Sequence, residues 1–353
     1  MNQLMEQTNA ARSLIESVHA EGKSLVGEYP LVFEEGHAGR VLHFGKDDEV
    51  DSACTLILRY FVMDDARVRG GLIGSVTTRP EKRGAGLGTR LLDLAERELR
   101  EQGCIFALLW ADDPSFYCKR GYAPMGGEVD FLLTPGTSAL LPASAGVRAL
   151  REGDAAEIQR VYAQHVVRLE RSVEETRALL GCPGMRTLVL ERDGEVVAYA
   201  CLGRGRDLQG AIHEWGGATR DVLALIRAHA EEVGGEGLIV MAPQAATELC
   251  YKLTTFGAIS KRGVLGLGKI LDRERAATLL AERLGNDAEV DVHENGVHLR
   301  GPGDEGDLND EALLALLFSA PEALDAVENL LKRFKFKQAR LPLEPFAWGL
   351  DSI

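Results

Sequence analysis

The chain has 353 residues, 45% of them apolar and 27% charged, and chains of this length usually divide into two or three domains. Its 40 Lys and Arg against 54 Asp and Glu give a net charge of −14. No basic cluster is present, so nucleic acid is not expected as a partner, because binding to phosphates relies on clustered Lys and Arg. No apolar run reaches the roughly 18–20 residues of a bilayer span, and the N-terminus lacks the pattern of a signal peptide. We therefore expect a cytoplasmic protein without a membrane partner.

The cysteines and histidines form no metal-binding pattern. The six cysteines stand far apart without a C-x-x-C pair, and the eight histidines are scattered. His293 and His298 flank the turn-like residues ENGV, and we interpret them as exposed strand residues rather than ligands. The sequence predicts reduced, mostly buried thiols and no metal site.

The first third of the chain alternates between helical and strand-like periodicity. The pattern predicts an amphipathic helix over 3–20, strands over 40–44, 55–63 and 71–78, a helix over 89–103 and a buried strand over 104–111. Strand, glycine loop, helix and strand in this order form a βαβ unit, so the predicted fold class is α/β.

The same order of elements begins again near residue 146, after a Pro-, Gly- and Ser-rich linker over 134–146. This repetition predicts a diverged internal duplication, with domains over 1–135 and 146–271 and a small α/β domain over 272–353. The chain ends in FAWGLDSI. An exposed tail of that composition would be sticky, so we expect it to pack against the rest of the protein.

Three glycines, Gly84, Gly86 and Gly88, lie between a predicted strand and the start of a helix. Their backbone N–H groups would point toward one place, and the helix dipole adds partial positive charge there, which favours a pyrophosphate. The spacing is neither that of a nucleoside-triphosphate P-loop nor that of a dinucleotide-binding loop. A purely structural turn is the alternative interpretation.

This stretch, VTTRPEKRGAGLG, resembles the acetyl-CoA-binding motif of the GCN5-related N-acetyltransferase (GNAT) superfamily, in which [RQ]xxGx[GA] opens a helix. The resemblance implies two tandem GNAT-like mixed-sheet domains with acetyl-CoA as cosubstrate. It implies that the backbone of Val76, Thr77 and Thr78 holds the pantetheine arm. The matching loop and its amides, which would hold the pyrophosphate, comprise Arg83, Gly84, Ala85, Gly86, Leu87, Gly88 and Thr89.

A second segment, SFYCKRGY at 115–122, is similar to the [FI]YxxxGF/Y motif of the same superfamily. The similarity implies that Tyr117 protonates the leaving thiolate, and a plain core aromatic is the alternative. Asp112 and Asp113 follow the buried strand directly; they are candidates for a general base, but we favour coenzyme contact or helix capping. Cys118 is not expected to form an acyl-enzyme, because no basic residue is placed to activate it.

The tandem order resembles the enhanced-intracellular-survival type of N-acetyltransferase. This resemblance implies a sterol-carrier-like C-terminal domain and a terminal carboxylate, here that of Ile353, that reaches the first domain as general base. The tail is also expected to fill the edge where the first domain lacks an opening strand. The second domain has no phosphate loop at the matching place, so we expect it not to bind coenzyme there. Glu214 and Trp215 in it either line a substrate groove or are structural.

The sequence thus predicts an acyltransferase that transfers acetyl from acetyl-CoA to a primary amine, by direct attack in a ternary complex. The acceptor would be a small-molecule or peptide amine, and the acidic composition favours a cationic one. A non-catalytic acyl-CoA sensor is the alternative, and transfer of a longer acyl chain is a third hypothesis. The oligomeric state stays open, a homo-oligomer included.

Overall fold

A computed structural model describes residues 9–20, 24–34, 36–46, 49–205, 208–234 and 237–353. In the first part of the chain, the helices are α1 (Asn9–His19), α2 (Pro30–Phe33), α3 (Leu87–Glu101), α4 (Ser115–Cys118) and α5 (Pro135–Ser138). The strands there are β1 (Arg40–Lys46), β2 (Glu49–Met63), β3 (Ala66–Thr78), β4 (Phe106–Leu109) and β5 (Ala123–Leu133).

The second part of the chain repeats this order with two additional short strands, β6 (Val147–Ala149) and β7 (Val167–Leu169). Its other strands are β8 (Arg186–Arg192), β9 (Glu195–Leu202), β10 (Ala211–Gly216), β11 (Leu238–Pro243) and β12 (Ile259–Ile270). Its helices are α6 (Ala155–Tyr162), α7 (Val173–Leu180), α8 (Thr219–Val233) and α9 (Thr247–Thr255). We call residues up to 138 the first half and residues 147–270 the second half.

The C-terminal segment, 273–353, forms a smaller unit and a tail. Its elements are α10 (Arg273–Leu284), β13 (Glu289–His293), β14 (Gly296–Arg300), β15 (Glu305–Leu308), α11 (Asp310–Phe318) and α12 (Leu324–Phe334). The three strands form an antiparallel sheet. The predicted break at Pro321 is observed as a short 3₁₀ turn between the two last helices.

The α/β fold class is confirmed, and most predicted elements are observed with shifted ends. The predicted first helix is observed over Asn9–His19, and the part of the prediction that covers residues 3–8 lies outside the described residues. The strand predicted over 104–111 is observed over Phe106–Leu109. The Ile105 N–H, just before it, already donates to Arg69 O of β3 over 2.8 Å. Helix α3 buries Leu91, Leu92 and Leu99, as the periodicity predicts.

One twelve-stranded sheet runs through both halves, in the order β1-β2-β3-β4-β12-β5-β11-β10-β9-β8-β6, with β7 paired to β2. Strand β12 of the second half lies between β4 and β5 of the first, where Leu267 faces Leu109. Strand β5 of the first half lies in turn between β12 and β11, where Phe131 faces Val240. The halves therefore exchange a strand, and each completes the sheet of the other.

The C-terminal tail is buried, as expected from its composition. Trp348 is fully buried, and Leu343, Phe346 and Leu350 join the core that spans both halves. The tail forms no strand, however, and the expectation that it fills the sheet edge beside β1 is wrong. Its side chains are large and apolar and its prolines remove backbone donors, so it packs by side-chain burial between the halves instead of pairing.

Among the helices in the described ranges, none combines the length and the apolar character that a membrane span requires.

Candidate functional site

Strands β3 and β4 separate at the centre of the sheet. Their parallel pairing ends at Leu72 and Leu108, while β3 continues to Thr78. Ser75 has a φ of +50° there, and the register between β2 and β3 shifts opposite it, between Ala53 and Thr55. A bulge of this kind changes the direction in which backbone groups point. Beyond it, along Val76–Thr78, the side of β3 that faces β4 has no described strand paired to it. These are the residues predicted to hold the pantetheine arm.

The threonines at the end of β3 are held in place by side chains from neighbouring elements. His19 Nε2 lies 2.8 Å from Thr77 Oγ1, and the Ser52 hydroxyl donates to Thr77 O over 2.7 Å. Arg83 Nε donates to Thr78 O over 3.2 Å, so the first residue of the predicted loop motif is tied back to the strand.

The glycine loop leads directly into the N-terminus of α3. Gly84 and Gly86 have φ angles of +83° and +77°, and a Cβ at either position would meet no atom within 4 Å. Their side of the loop therefore faces open space, and glycine is required for the backbone conformation rather than for packing. No acidic residue lies in the first turn of α3, so the positive end of its dipole is not neutralised.

The segment around Tyr117 packs onto this same helix end. A Cβ on Gly88 would lie 3.6 Å from the Phe116 ring, and Arg120 both stacks on that ring, 3.7 Å from its centroid, and hydrogen-bonds the Thr89 hydroxyl. Tyr117 is half-buried. Burial, with a smaller contribution from Cys54, raises the pKa of the Tyr117 hydroxyl against the opposing effect of Arg120, which keeps the phenol protonated at neutral pH.

The two aspartates after β4 are exposed on the surface. Asp113 Oδ1 accepts the Ser115 N–H over 2.9 Å and so holds the start of α4, the capping role considered above; its contact with coenzyme stays a prediction, as does that of Asp112. Trp110, which the sequence did not single out, is 38% exposed at the end of β4. Trp110 belongs to the apolar run that was predicted as a buried strand, and nothing in the sequence indicated that its side chain would be exposed.

Ile353 lies against β3 at the bulge. A Cβ on Gly74 would come within 2.8 Å of the Ile353 backbone carbonyl carbon and 2.7 Å of Thr55 Oγ1, so only glycine fits there. Ile353 packs with α1 and the core between the halves, whereas Tyr117 packs in the separate core beneath α3. The two residues predicted to be catalytic therefore lie on opposite faces of the sheet, beside the opening between β3 and β4.

Buried charges of the second half hold the tail that carries Ile353. Arg171 Nε lies 2.8 Å from Asp351 Oδ1, and Arg171 Nη2 donates to Glu214 Oε2 over 2.6 Å. The three side chains are at most 1% exposed. The hydroxyls of Tyr162 and Tyr199 complete the network, 3.1 Å from Asp351 Oδ2 and 2.9 Å from Glu214 Oε1.

A second arginine anchors the last residues of the tail. Arg204 hydrogen-bonds Gly349 O and donates to Ser352 Oγ over 3.0 Å. The same guanidinium donates to Glu28 O over 2.6 Å, which ties the tail to the segment before α2. The position of Ile353 beside Gly74 is therefore set by contacts from both halves.

The second half offers no comparable loop. Only residues 217–218 connect β10 to α8, whereas residues 79–86 connect β3 to α3. Glu214 and Trp215 are 1% and 5% exposed, and the Trp215 ring packs edge-on against Trp348 of the tail, with centroids 5.1 Å apart. Of the two interpretations of this pair, the structural one is therefore correct.

The cysteines and histidines are the remaining side chains that could act as nucleophiles or metal ligands. Cys118 is exposed on α4, whereas Cys54 is buried, which raises the pKa of its thiol to about 12. His298 Nδ1 lies 2.7 Å from Asp307 Oδ1 in the C-terminal sheet. Within the described ranges, no three His, Cys, Asp or Glu residues converge in a way that could hold a metal ion.

Comparison with known proteins identifies the first part of the chain. Residues 13–125, which contain the loop, the bulge and the Tyr117 segment, match the acetyltransferase (GNAT) domain family. The match lies within the first half of the chain. None of the curated protein sequences matches the chain, so the family match bears on residues 13–125 and the solved structures bear on the fold.

Several solved structures share the fold of the whole chain. A protein from Enterococcus faecalis V583, described as a probable N-acyltransferase, aligns with a TM-score of 0.74 and 14% identity over 100% of both chains. A GCN5-related N-acetyltransferase from Kribbella flavida aligns with a TM-score of 0.70 and 16% identity over 100% of both chains. Eis1 from Mycobacterium abscessus aligns with a TM-score of 0.62 and 13% identity over 98% of this chain and 99% of its own. These structures therefore share the fold of this chain over its whole length.

The buried charge network gives a stability prediction. Replacing Arg171 with Met leaves the carboxylates of Glu214 and Asp351 buried without their cation, which should lower the free energy of unfolding by about 3–5 kcal/mol. Burial already raises the pKa of Glu214. Without Arg171, Glu214 should take up a proton more readily in the folded state, so the loss should shrink as the pH falls from about 8 to about 5. Urea unfolding at several pH values measures both effects.

Arg186→Met is the matched control, because Arg186 pairs with Glu232 on the surface, where the two side chains are 49% and 41% exposed. Its loss should cost about 1 kcal/mol or less and should not depend on pH in this way. Equal losses in the two variants would contradict the role given to the network.

Proposed function

We propose that the protein is an acetyl-CoA-dependent N-acetyltransferase that acts on a primary amine in a ternary complex. The observation that carries the proposal is the convergence of the glycine loop, the open side of β3 and the Tyr117 segment around the N-terminus of α3. Free backbone donors at a helix N-terminus favour a pyrophosphate. The unpaired edge of β3 offers the hydrogen bonds that an extended pantetheine arm requires, in the way that a peptide adds to a sheet edge.

In this proposal the amine nitrogen attacks the thioester carbonyl and the C–S bond breaks, so that the acetyl group moves to nitrogen and CoA leaves as a thiolate. Backbone N–H groups of Val76–Thr78 stabilise the negative charge that develops on the carbonyl oxygen. Tyr117, kept protonated by its surroundings, supplies the proton to the thiolate, and the proton that the nitrogen loses as the amide forms restores the phenol.

The amine has to lose a proton before it attacks. A primary amine with a pKa near 10 costs about 4 kcal/mol to deprotonate at pH 7, at about 1.36 kcal/mol per unit. With Ile353 as the last residue, its carboxylate lies beside the bulge of β3, on the face opposite Tyr117. We assign the acceptance of this proton to that carboxylate. Acid and base then act from opposite sides of the reacting carbonyl.

The first measurement is titration calorimetry of the purified chain with acetyl-CoA. We expect one site per chain, because the second half has no loop of the required length. Gly86→Glu should weaken binding at least about tenfold by placing a carboxylate beside the pyrophosphate. Gly257→Glu is the matched control: Gly257 has a φ of +89° and the same open surroundings, so the backbone strain is equal. Two sites per chain, or equal losses in both variants, would contradict the assignment.

Replacing Tyr117 with Phe should lower kcat for acetyl transfer by about 10–100-fold while the affinity for acetyl-CoA stays the same, because only the proton donor is lost. Release of the free CoA thiol with a panel of amines measures the rate. Tyr251→Phe, at a residue 67% exposed on α9, is the control and should leave the rate unchanged. A chain that binds acetyl-CoA but releases no thiol with any amine would be a sensor rather than an enzyme.

Adding one glycine after Ile353 tests the proton acceptor. The extra residue moves the carboxylate by about 3.8 Å, the distance between consecutive Cα atoms, and leaves the contacts of Asp351 and Ser352 available. Turnover at neutral pH should fall at least about tenfold and recover in part at alkaline pH, where more of the amine is already neutral. Acetyl-CoA affinity and thermal stability are the controls and should not change. Unchanged turnover would exclude the carboxylate as the base.

A further inference from the structure

A cleft with a volume of about 530 Å³ lies between the two halves, at the end of β2 remote from the glycine loop. The first half contributes residues of β2 and β3 to its lining, and the second half contributes residues of α6, β7 and α7. The lining includes none of the residues assigned above to acetyl-CoA binding. A volume of this size is within the roughly 300–1,000 Å³ of small-molecule sites.

The lining is rich in arginine, which is unexpected in a chain of net charge −14. Its charged residues are Arg59, Arg67, Arg69, Arg168 and Arg171, against Glu170 and Glu175. Arg171 is neutralised by the buried network described above. Arg67 is paired with Glu170 through two hydrogen bonds of 2.7 and 2.8 Å. These two arginines are therefore part of the architecture.

The remaining three arginines have N–H donors that no carboxylate of the described residues uses. Arg69 and Arg168 form no ion pair with a carboxylate among the described residues; Arg168 Nη1 donates only to the backbone, to His165 O over 2.6 Å. Arg59 is 7% exposed. Its Nη1 donates to Glu175 Oε1 over 2.8 Å, while its Nη2 is buried without a hydrogen-bond partner within the described part of the chain.

A buried guanidinium nitrogen without a partner is costly, because its solvation is lost and nothing replaces it. Tyr60 lies on the same wall with two arginines beside its ring, Arg67 at 3.3 Å and Arg69 at 5.6 Å from the centroid. This fixes the planes of both guanidinium groups. Preoriented arginine forks match the planar or tetrahedral oxyanions of carboxylates and phosphates, which accept two parallel hydrogen bonds.

We propose that this arginine cleft is a binding site for a small organic anion, which it holds through a phosphate or carboxylate group on Arg59, Arg69 and Arg168. The site is separate from the coenzyme loop and requires both halves of the chain. It gives the second half, which has no phosphate loop of its own, a share in a ligand site.

Calorimetric titration with inorganic phosphate and with citrate tests the proposal and distinguishes the two oxyanion classes. The titrations contain no CoA, because CoA carries phosphate groups that could occupy the cleft, and they are repeated on Gly86→Glu so that uptake of the probe by the glycine loop is recognised. We expect one saturable site per chain for at least one probe. The double variant Arg69→Gln/Arg168→Gln should weaken it at least about tenfold, since each charge-assisted hydrogen bond contributes more than a factor of ten.

The matched control is Arg97→Gln/Arg186→Gln, which removes the same charge from exposed positions outside the cleft and should leave the affinity unchanged. Neither Arg69 nor Arg168 leaves a carboxylate unpaired when it is replaced, so the double variant should melt within a few degrees of the native chain. Absence of binding by both probes would overturn the proposal. So would equal affinity in the two double variants, or sedimentation that shows the cleft closed by a second copy of the chain.

Discussion

The exchange of β5 and β12 between the halves is the constraint on which the rest of the structure depends. Strand β4 pairs with β3 on one side and with β12 of the second half on the other, so the sheet of the GNAT domain is completed by residues more than a hundred positions away. The opening between β3 and β4, which receives the coenzyme in our proposal, is therefore held by the second half. Neither half buries its central strands alone, and we expect the two to unfold together.

Buried charged groups hold the C-terminal tail, whose position the strand exchange does not determine. Besides the apolar packing of the tail, Arg171 compensates two buried carboxylates and Arg204 binds the backbone of residues 349 and 352, which holds the tail against the first half. Buried ion pairs add little to stability compared with apolar packing, but they discriminate strongly against mispaired arrangements, because an unpaired buried charge is far more costly. In this chain they specify one position for the tail, and with it the place of Ile353.

The second half repeats the order of elements of the first half without a comparable glycine loop before its helix α8. Its two-residue connection between β10 and α8 leaves no space for a phosphate cradle, and tryptophan rings fill the adjoining region. What it contributes instead is a strand, the arginines that hold the tail and one wall of the arginine cleft.

The amino-acid sequence by itself determined the local features: the α/β class, helix α3 with its glycine loop, and the Tyr117 segment. These depend on residues within a few positions of each other, where periodicity and backbone preference act directly. Tertiary structure alone decided the strand exchange, the cleft and the route of the tail, which does not fill the sheet edge as expected. Arg171 and Asp351, for example, are 180 residues apart. Hydropathy indicates that such residues are buried or charged, but not which partner neutralises them, because that choice belongs to the packing of the whole chain.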